Sequence, residues 1–566
     1  MKVKSRGIAI FASMAMLTSL AAAGCGNDEP AATVPPAVTT PGEGGAVEAE
    51  PAQICDEIDV AHSVDAMPNY AAGVTFHAPS PLTVSTLYRV HSGYPVMDDW
   101  RFWSYIQEKT NVTFDREDIL LADWDNSRSL QVASGQFPTL VPIVWGGQES
   151  GWWPGGNLLP LSEYTHCMPN FEASVAEWGL EGEINNQRAG DGNIYRLPLI
   201  RQSPNIEHSF AVNVDKFEAA GVDVDSIDTF DELTEALRAV QAHGDVAYAY
   251  SDRWNEGNSV LGASLQLASP NFDTTGGWNR SITSFDFAND EFVPRVGTEG
   301  YRQLVEWFAN LRSEGLLDPE ITQTDDEAVQ KFINGQSAMI ASNFPEMQNA
   351  LISPAAEVGI DLNVKMIRVP DGPAGGNIAG SRVGPGFVVN SDIRNSPYFL
   401  ATLQFLDWLY FSPEGRVMQI WGVEGETYQV NADGTYECLV PSGDQAECTA
   451  WLQQEFGFRD GMWHNWNGPD ELIFSMMTPE QAAWVQNMAA TKTILPPNPA
   501  APLTELEQEQ ASLVESSVQD AVDTGVAQFI SGTRPISDWD NFVTQIRNLG
   551  ADQIAELQNA AYQRNQ

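Results

Sequence analysis

Tryptophans in loop-like segments are the residues of this sequence best suited to chemistry. The 566-residue chain contains 17 Trp, and several of them stand beside Gly, Pro or Asn instead of within periodic apolar segments. These loop tryptophans are Trp145, Trp152, Trp254, Trp278 and Trp463. A ring in a loop can offer a flat apolar face to a ligand. The pattern favours a binding cleft lined by several of these rings, although each ring taken alone also fits partial core burial.

The sequence lacks the motifs of the common hydrolases and nucleotide-binding enzymes. It contains no H-E-x-x-H, G-x-S-x-G, G-x-G-x-x-G or P-loop pattern. Glu424 and Glu426, two residues apart, would lie side by side on one face of a strand, whereas the two carboxylates of a glycosidase must face each other across the scissile bond. Only fragments of a calcium-binding loop occur, Asp123-Asp125-Asn126 and Asn431-Asp433-Glu437. We therefore expect a protein that is not an enzyme, and we assign it no cofactor and no metal.

The charge of the chain excludes a class of partners. Lys and Arg number 29 against 76 Asp and Glu, which gives a formal net charge of −47. Binding to a phosphate backbone or an anionic membrane surface needs clustered basic residues. We therefore expect no nucleic-acid partner. The hydrophobic content of 43% is ample for folded cores, so the acidity is best explained as a means of solubility.

The start of the chain predicts export and lipidation. Residues 1–24 combine a basic start, an apolar run over 7–20 and small residues, which is the pattern of a secretory signal peptide. Cys25 follows directly and resembles the acylated cysteine of a bacterial lipobox, although Ala22 stands where that pattern usually has Leu. We expect the signal to be removed and Cys25 to carry the lipid. The protein would then lie outside the cytoplasm and contact the cell membrane only through that lipid.

The composition changes after the predicted lipidation site. Residues 25–75 are rich in Pro, Ala, Glu and Thr and show neither helical nor strand periodicity. Such composition is typical of a flexible stalk that holds a folded body away from a surface.

Four further cysteines, Cys55, Cys167, Cys438 and Cys448, form an even set in an oxidising compartment. Two disulfides are expected, and three pairings are possible. The short spacing favours Cys438 with Cys448, which leaves Cys55 for Cys167. Free buried thiols are the alternative.

Strand and helix signals alternate along the body of the chain. Strand patterns occur at 82–90, 112–115, 139–145, 209–214, 337–341 and 386–390. Between them lie helical patterns, one of which opens with the capping-box residues Thr229 and Glu232. This order predicts an α/β fold with two discontinuous lobes, an interlobe cleft and a helical C-terminal region. The expected divisions are lobe 1 at 76–205, lobe 2 at 206–372, a return to lobe 1 at 373–412, and a part shared between the lobes at 413–566.

Six segments of the body resemble a known family. They are 103–112 (WSYIQEKTNV), 132–138 (VASGQFP), 191–198 (DGNIYRLP), 332–340 (FINGQSAMI), 421–426 (WGVEGE) with Tyr428, and 529–532 (FISG) followed by 539–542 (WDNF). From about Leu82 to Arg564 the chain is similar to the family 1 solute-binding proteins of bacterial ABC importers, and within them to the large oligosaccharide-binding lipoproteins. The resemblance implies a periplasmic-binding-protein-like type II fold. It also implies a carbohydrate ligand, delivery to ABC permease transmembrane subunits, and a monomer.

The resemblance and the strand positions together indicate ligand-binding residues. Sugars stack their C–H faces on aromatic rings and hydrogen-bond to polar side chains, so the loop tryptophans fit the implied role. Trp145 ends one predicted strand, and Asn343 with Phe344 follows another, where open α/β sheets bind ligands. Trp421 and Glu424 lie in the WGVEG stretch, which relatives place near the ligand.

Three alternatives stay open from the sequence. Arg382 would bind either a sugar or a partner in a crossover salt bridge. The scaffold would also suit a receptor for a non-sugar solute such as a peptide. A secreted polysaccharide-active enzyme is the alternative from another class of protein.

Overall fold

A computed structural model describes residues 55, 58–90, 95–254, 260–278, 281–443, 445–463 and 467–566. The predicted signal peptide, Cys25 and most of the predicted stalk lie outside the described residues. Among those described, no helix is both long and apolar enough to cross a bilayer.

The strands fall into two principal sheets and three short pairs. They are β1 Leu82–Val90, β2 Val112–Leu120, β3 Leu140–Val144, β4 Leu197–Ile200, β5 His208–Asn213, β6 Tyr248–Tyr250, β7 Thr283–Asp286, β8 Glu291–Pro294, β9 Ser337–Asn343, β10 Val364–Met366, β11 Asn377–Ala379, β12 Val383–Val389, β13 Tyr428–Val430, β14 Tyr436–Cys438 and β15 Thr493–Leu495.

The α-helices cover both principal sheets and dominate the C-terminal region. They are α1 Arg101–Thr110, α2 Trp124–Ser134, α3 Pro169–Trp178, α4 Glu181–Asn185, α5 Val214–Ala219, α6 Phe230–His243, α7 Gly262–Ala268, α8 Glu299–Ser313, α9 Asp325–Ile333, α10 Phe344–Glu346, α11 Ser353–Glu357, α12 Phe399–Phe411, α13 Pro413–Trp421, α14 Cys448–Trp451, α15 Asp470–Ser475, α16 Pro479–Thr491, α17 Glu505–Ser531, α18 Trp539–Ile546 and α19 Asp552–Asn565.

Lobe 1 is built on the sheet β2-β1-β3-β12-β4. The first three strands in this order are parallel, and β12 runs antiparallel to both of its neighbours. Helix α12 is mostly apolar and is buried along its whole length, as expected for a helix at the centre of a core. It packs in one continuous hydrophobic core with β1, β3 and β12.

Lobe 2 is built on the sheet β10-β5-β9-β6. Alternate residues of β5 enter different cores, because Phe210 and Val212 pack on one face while Ala211 packs on the other. Helices α17 and α18 return to this lobe from the C-terminal region, and Phe529 and Phe542 complete its larger core. The predicted capping box at Thr229 and Glu232 opens α6.

Crossing segments join the two lobes. Asn205 N donates to Ser381 O at 3.0 Å, and β11 pairs in parallel with β15. A small separate cluster of apolar side chains holds these segments together, namely Ile206, Val369, Ile378, Val485 and Met488. The predicted arrangement of two discontinuous α/β lobes is therefore confirmed.

The segment 58–75 corrects the predicted extent of the stalk. Instead of being flexible, it lies on lobe 1, where Met67 N donates to Gln404 Oε1 and Tyr70 OH to Asp407 Oδ2, each at 2.8 Å. Tyr70 is also buried in the core of lobe 1, and Met67 and Val74 pack against that core. These apolar side chains follow neither a helical nor a strand period, so no periodic pattern in the sequence indicated the contacts. We call this segment the N-terminal strap.

Both expected disulfides are present. Cys55 is bonded to Cys167, and Cys438 to Cys448. The first bond fixes the start of the N-terminal strap to lobe 1, and the second closes a local loop beside β14. The favoured pairing is confirmed.

Candidate binding site

Strand pairing brings three segments to one edge of the lobe 2 sheet. His208, the first residue of β5, pairs with Asn343, the last residue of β9. Strand β6 runs parallel to β9, so the residues that follow β6 reach the same edge. This is the carboxyl edge of β6 and β9, where α/β sheets bind ligands.

Three aromatic side chains meet at this edge, and we call them the aromatic triad: His208, Trp254 and Trp278. Ring centroids lie 5.5 Å apart for the two tryptophans, 5.6 Å for His208 and Trp278, and 5.9 Å for His208 and Trp254. Trp278 is 37% exposed and its Nε1 donates to the Trp254 carbonyl at 3.0 Å. The triad therefore presents a supported aromatic surface to solvent.

A buried arginine supports the triad from behind. The guanidinium of Arg253 lies 4.0 Å from the centre of the Trp254 ring and has no exposed surface. It donates two hydrogen bonds to Asp325, at 2.7 and 2.8 Å, and one to Glu346 at 2.9 Å. These contacts tie Trp254 to the first residue of α9 and the last residue of α10. They also hold Trp254 at φ 58°, a left-handed conformation that non-glycine residues adopt only when surrounding contacts compensate.

A pocket of about 140 Å³ adjoins the triad. Crossing segments form one side of it and lobe 2 forms the other. The lining residues are Asn205, Ile206, Glu207, His208, Gln266, Leu267, Pro270, Trp278, Val369, Ile378 and Ala379. A ligand in this pocket would touch both the aromatic triad and the crossing segments.

The imidazole of the triad is neutral. Burial lowers the pKa of His208, and this effect outweighs the attraction of Glu207 and Glu346, which acts to raise it. The amide Nδ2 of Asn343 lies 3.2 Å from His208 Nε2, so the amide donates and Nε2 accepts. The ring proton is then on Nδ1, which lies 3.7 Å from the Glu207 carboxylate.

Lobe 1 carries a second exposed ring at the carboxyl end of β3. Trp145 is 53% exposed, and its backbone N–H donates to Gln148 Oε1 at 2.9 Å. The same oxygen accepts from Arg128 Nη2 at 3.0 Å. Arg128 in turn stacks on the ring of Trp152, which is largely buried. Trp152 thus supports this loop from its buried side, whereas the exposed ring of Trp145 is accessible to a ligand.

The structure places Trp463 elsewhere. Its side chain is 1% exposed and stacks on Phe102 with ring centroids 5.6 Å apart, in the aromatic core of lobe 1. Its polar neighbours in sequence suggested a loop at a cleft, but β2 and α1 cover the ring from both sides. We therefore leave Trp463 out of the candidate site.

Four other predicted residues also lie apart from the aromatic triad or behind it. Trp421 is buried, donates to Ser475 Oγ at 3.0 Å and stacks on Tyr436. Glu424 is exposed beside this pair. Arg382 forms an ion pair with Glu183 and donates to carbonyl groups of lobe 1, which is the salt-bridge alternative. Phe344 is buried behind Asn343, against Trp484.

Trp254, Trp278 and Asn343 were predicted from the sequence as ligand-binding residues, whereas His208, Glu207 and Arg253 were not. Glu207 and His208, directly before and at the start of β5, match no recognised sequence motif. The position of Arg253, directly before Trp254, was the one available signal, because arginine stacks readily on tryptophan.

Comparisons with known proteins agree with the two-lobed architecture. The family model of the bacterial extracellular solute-binding proteins matches residues 105–423, more than half of the chain. The polygalacturonan/rhamnogalacturonan-binding protein YtcQ of Bacillus subtilis (strain 168) is 21% identical over 345 residues. That alignment covers 58% of this chain and 64% of YtcQ, so it spans less than two thirds of the relative.

Solved structures match over most of this chain. The calcium-free alginate-binding protein AlgQ2 is 18% identical with a TM-score of 0.66, and the alignment covers 87% of this chain and 100% of AlgQ2. The S. pneumoniae substrate-binding protein FusA, solved with kestose, is 16% identical with a TM-score of 0.63, covering 85% and 99%. At these identities the structural matches show a shared fold. The family match places the protein outside the cytoplasm and among binding proteins, not enzymes: the chain belongs to the bacterial extracellular solute-binding proteins.

Proposed function

We propose that this chain is the lipid-anchored receptor of an ABC importer and that it captures a carbohydrate between its two lobes. The observation that carries the proposal is the aromatic triad beside a pocket lined by the crossing segments. The C–H face of a sugar ring stacks on exposed Trp278, while its hydroxyl groups reach the polar atoms of Glu207 and Asn343. Trp145 supplies a second stacking surface from lobe 1.

The proposed mechanism is closure of the lobes around the sugar. A ligand in the pocket touches the crossing segments and lobe 2 at once, and contacts with lobe 1 form only when the lobes approach each other. Binding energy that exists only in the closed form shifts the population toward that form. The permease subunits would then recognise the closed receptor.

Two parts of the proposal rest on the sequence and the family. The signal-peptide pattern and the cysteine at position 25 support export and lipidation. The family of extracellular solute-binding proteins supports a transport role. Mass spectrometry of the mature N-terminus tests the anchor, because acylation adds a lipid mass to Cys25 and Cys25→Ser removes it.

Thermal unfolding and Trp fluorescence in the presence of an oligosaccharide panel test the carbohydrate. We expect at least one oligosaccharide to raise the melting temperature and shift the fluorescence without the release of new reducing ends. Peptides of matched size serve as the comparison. A shift with peptides and none with any oligosaccharide would refute the proposal, and new reducing ends would indicate an enzyme.

A further inference from the structure

The charges around the aromatic triad are predominantly negative. Among the described residues, Arg253 faces two carboxylates, Asp325 and Glu346. Two carboxylates, those of Glu207 and Asp470, likewise attract the guanidinium of buried Arg201. Each of these two described guanidinium groups therefore interacts with two acids.

Glu207 is the carboxylate that lines the pocket. Its side chain is 17% exposed, and its Oε1 accepts a hydrogen bond from Asn205 Nδ2 at 2.6 Å. Among the described residues, only the neutral imidazole of His208 comes within 4.0 Å as a basic partner. The guanidinium of Arg201 also attracts Glu207, but it interacts with Asp470 as well, so the acids outnumber this base.

We propose that Glu207 makes the pocket select uncharged carbohydrates and reject sugars that carry a carboxylate. This inference rests on the proposed carbohydrate function and names the class of sugar. In a small pocket enclosed by protein, two carboxylates repel each other strongly, because the protein interior screens charge less than water does. An uncharged sugar instead donates its hydroxyl protons to Glu207, and hydrogen bonds to an ionised acceptor are stronger than those between neutral groups.

The proposed selectivity differs from the binding for which two relatives are named, polygalacturonan and alginate, because an acidic side chain lines the pocket of this chain. The discrimination arises from residues of this chain and is a property that its own variants can test.

Matched pairs of sugars test the proposal directly. Isothermal titration calorimetry compares trigalacturonate with its methyl ester, cellotriose with cellotriuronate, and maltotriose with maltotriuronate. The two members of a pair have the same rings and linkages and differ in charge. For any pair that binds, we expect the uncharged member to bind at least about tenfold more tightly, and we expect this ratio to fall as salt is added.

Two variants assign the effect to Glu207. Glu207→Gln removes the charge and should reduce the ratio by about tenfold, whereas Glu218→Gln removes an exposed charge on α5 and should leave it unchanged. Melting curves of both variants serve as the control that each of them is folded. If the wild-type protein binds the acidic member of a pair as tightly as the uncharged one, the inference is refuted while the proposed function stands. A ratio that Glu207→Gln leaves intact also refutes it. If no pair member binds, the comparison is repeated with an oligosaccharide that raises the melting temperature and with its carboxylate-bearing form; if no oligosaccharide of the panel binds, the carbohydrate proposal fails and this inference with it.

Discussion

Replacement of Trp278 by Ala measures what the aromatic triad contributes to binding. The side chain is 37% exposed, and since a Trp offers up to ~250 Å² of surface, ~90 Å² is available to a ligand. Covering all of that area is worth ~2 kcal/mol at ~25 cal/mol per Å², and covering half of it is worth ~1 kcal/mol. Trp278→Ala should therefore weaken sugar binding by ~5- to 30-fold.

Calorimetry with an oligosaccharide that raises the melting temperature of the wild-type protein provides the measurement. Trp307→Ala is the matched control, because Trp307 is also in lobe 2 but donates to Thr234 and packs on Phe230, away from the pocket. The control should bind with wild-type affinity. Unchanged affinity in Trp278→Ala, or an equal loss in both variants, would refute the stacking role of the triad.

Three further changes give measurable outcomes. Arg253→Gln removes the partner of Asp325 and Glu346 and should lower both the melting temperature in calorimetric scans and the sugar affinity in titrations, since Trp254 loses its support. Asp407→Ala leaves buried donors of the N-terminal strap and α3 unpaired and should reduce the free energy of unfolding in urea by ~3 kcal/mol. Burial raises the pKa of Asp252 to about 7, so the folded protein holds a proton that the unfolded chain releases near 3.8. The contribution of this residue to stability is therefore lost as pH rises from about 4 to about 7, and urea titrations should show that Asp252→Asn flattens this dependence.

Much of the fold was predictable because local patterns and tertiary structure agree. Strand β1 occupies the predicted residues 82–90. The capping box at Thr229 also forms as predicted. In each case the residues that set the local conformation also bury apolar surface in the same element, so no competing interaction overrides the pattern.

The candidate site was only partly predictable because its supporting contacts are distant in sequence. Arg253 meets Asp325 and Glu346 across more than 70 residues, and no local pattern connects them. The same limit explains Trp463, whose neighbours suggest a loop but whose ring is covered by α1 and β2. Exposure of a Trp depends on what the rest of the chain brings against it, and this is not encoded within a short window.

The bond between Cys55 and Cys167 determines how mechanical load would pass through the molecule. The proposed lipid on Cys25 precedes this bond by roughly 30 residues, a reach of at most ~100 Å at ~3.5 Å per residue. Tension from that tether enters at Cys55, passes through the disulfide to lobe 1, and bypasses both the crossing segments and lobe 2. In the proposed closure, lobe 2 would therefore move about a hinge that carries none of this tension, and drag on the proposed anchor would neither open nor close the cleft.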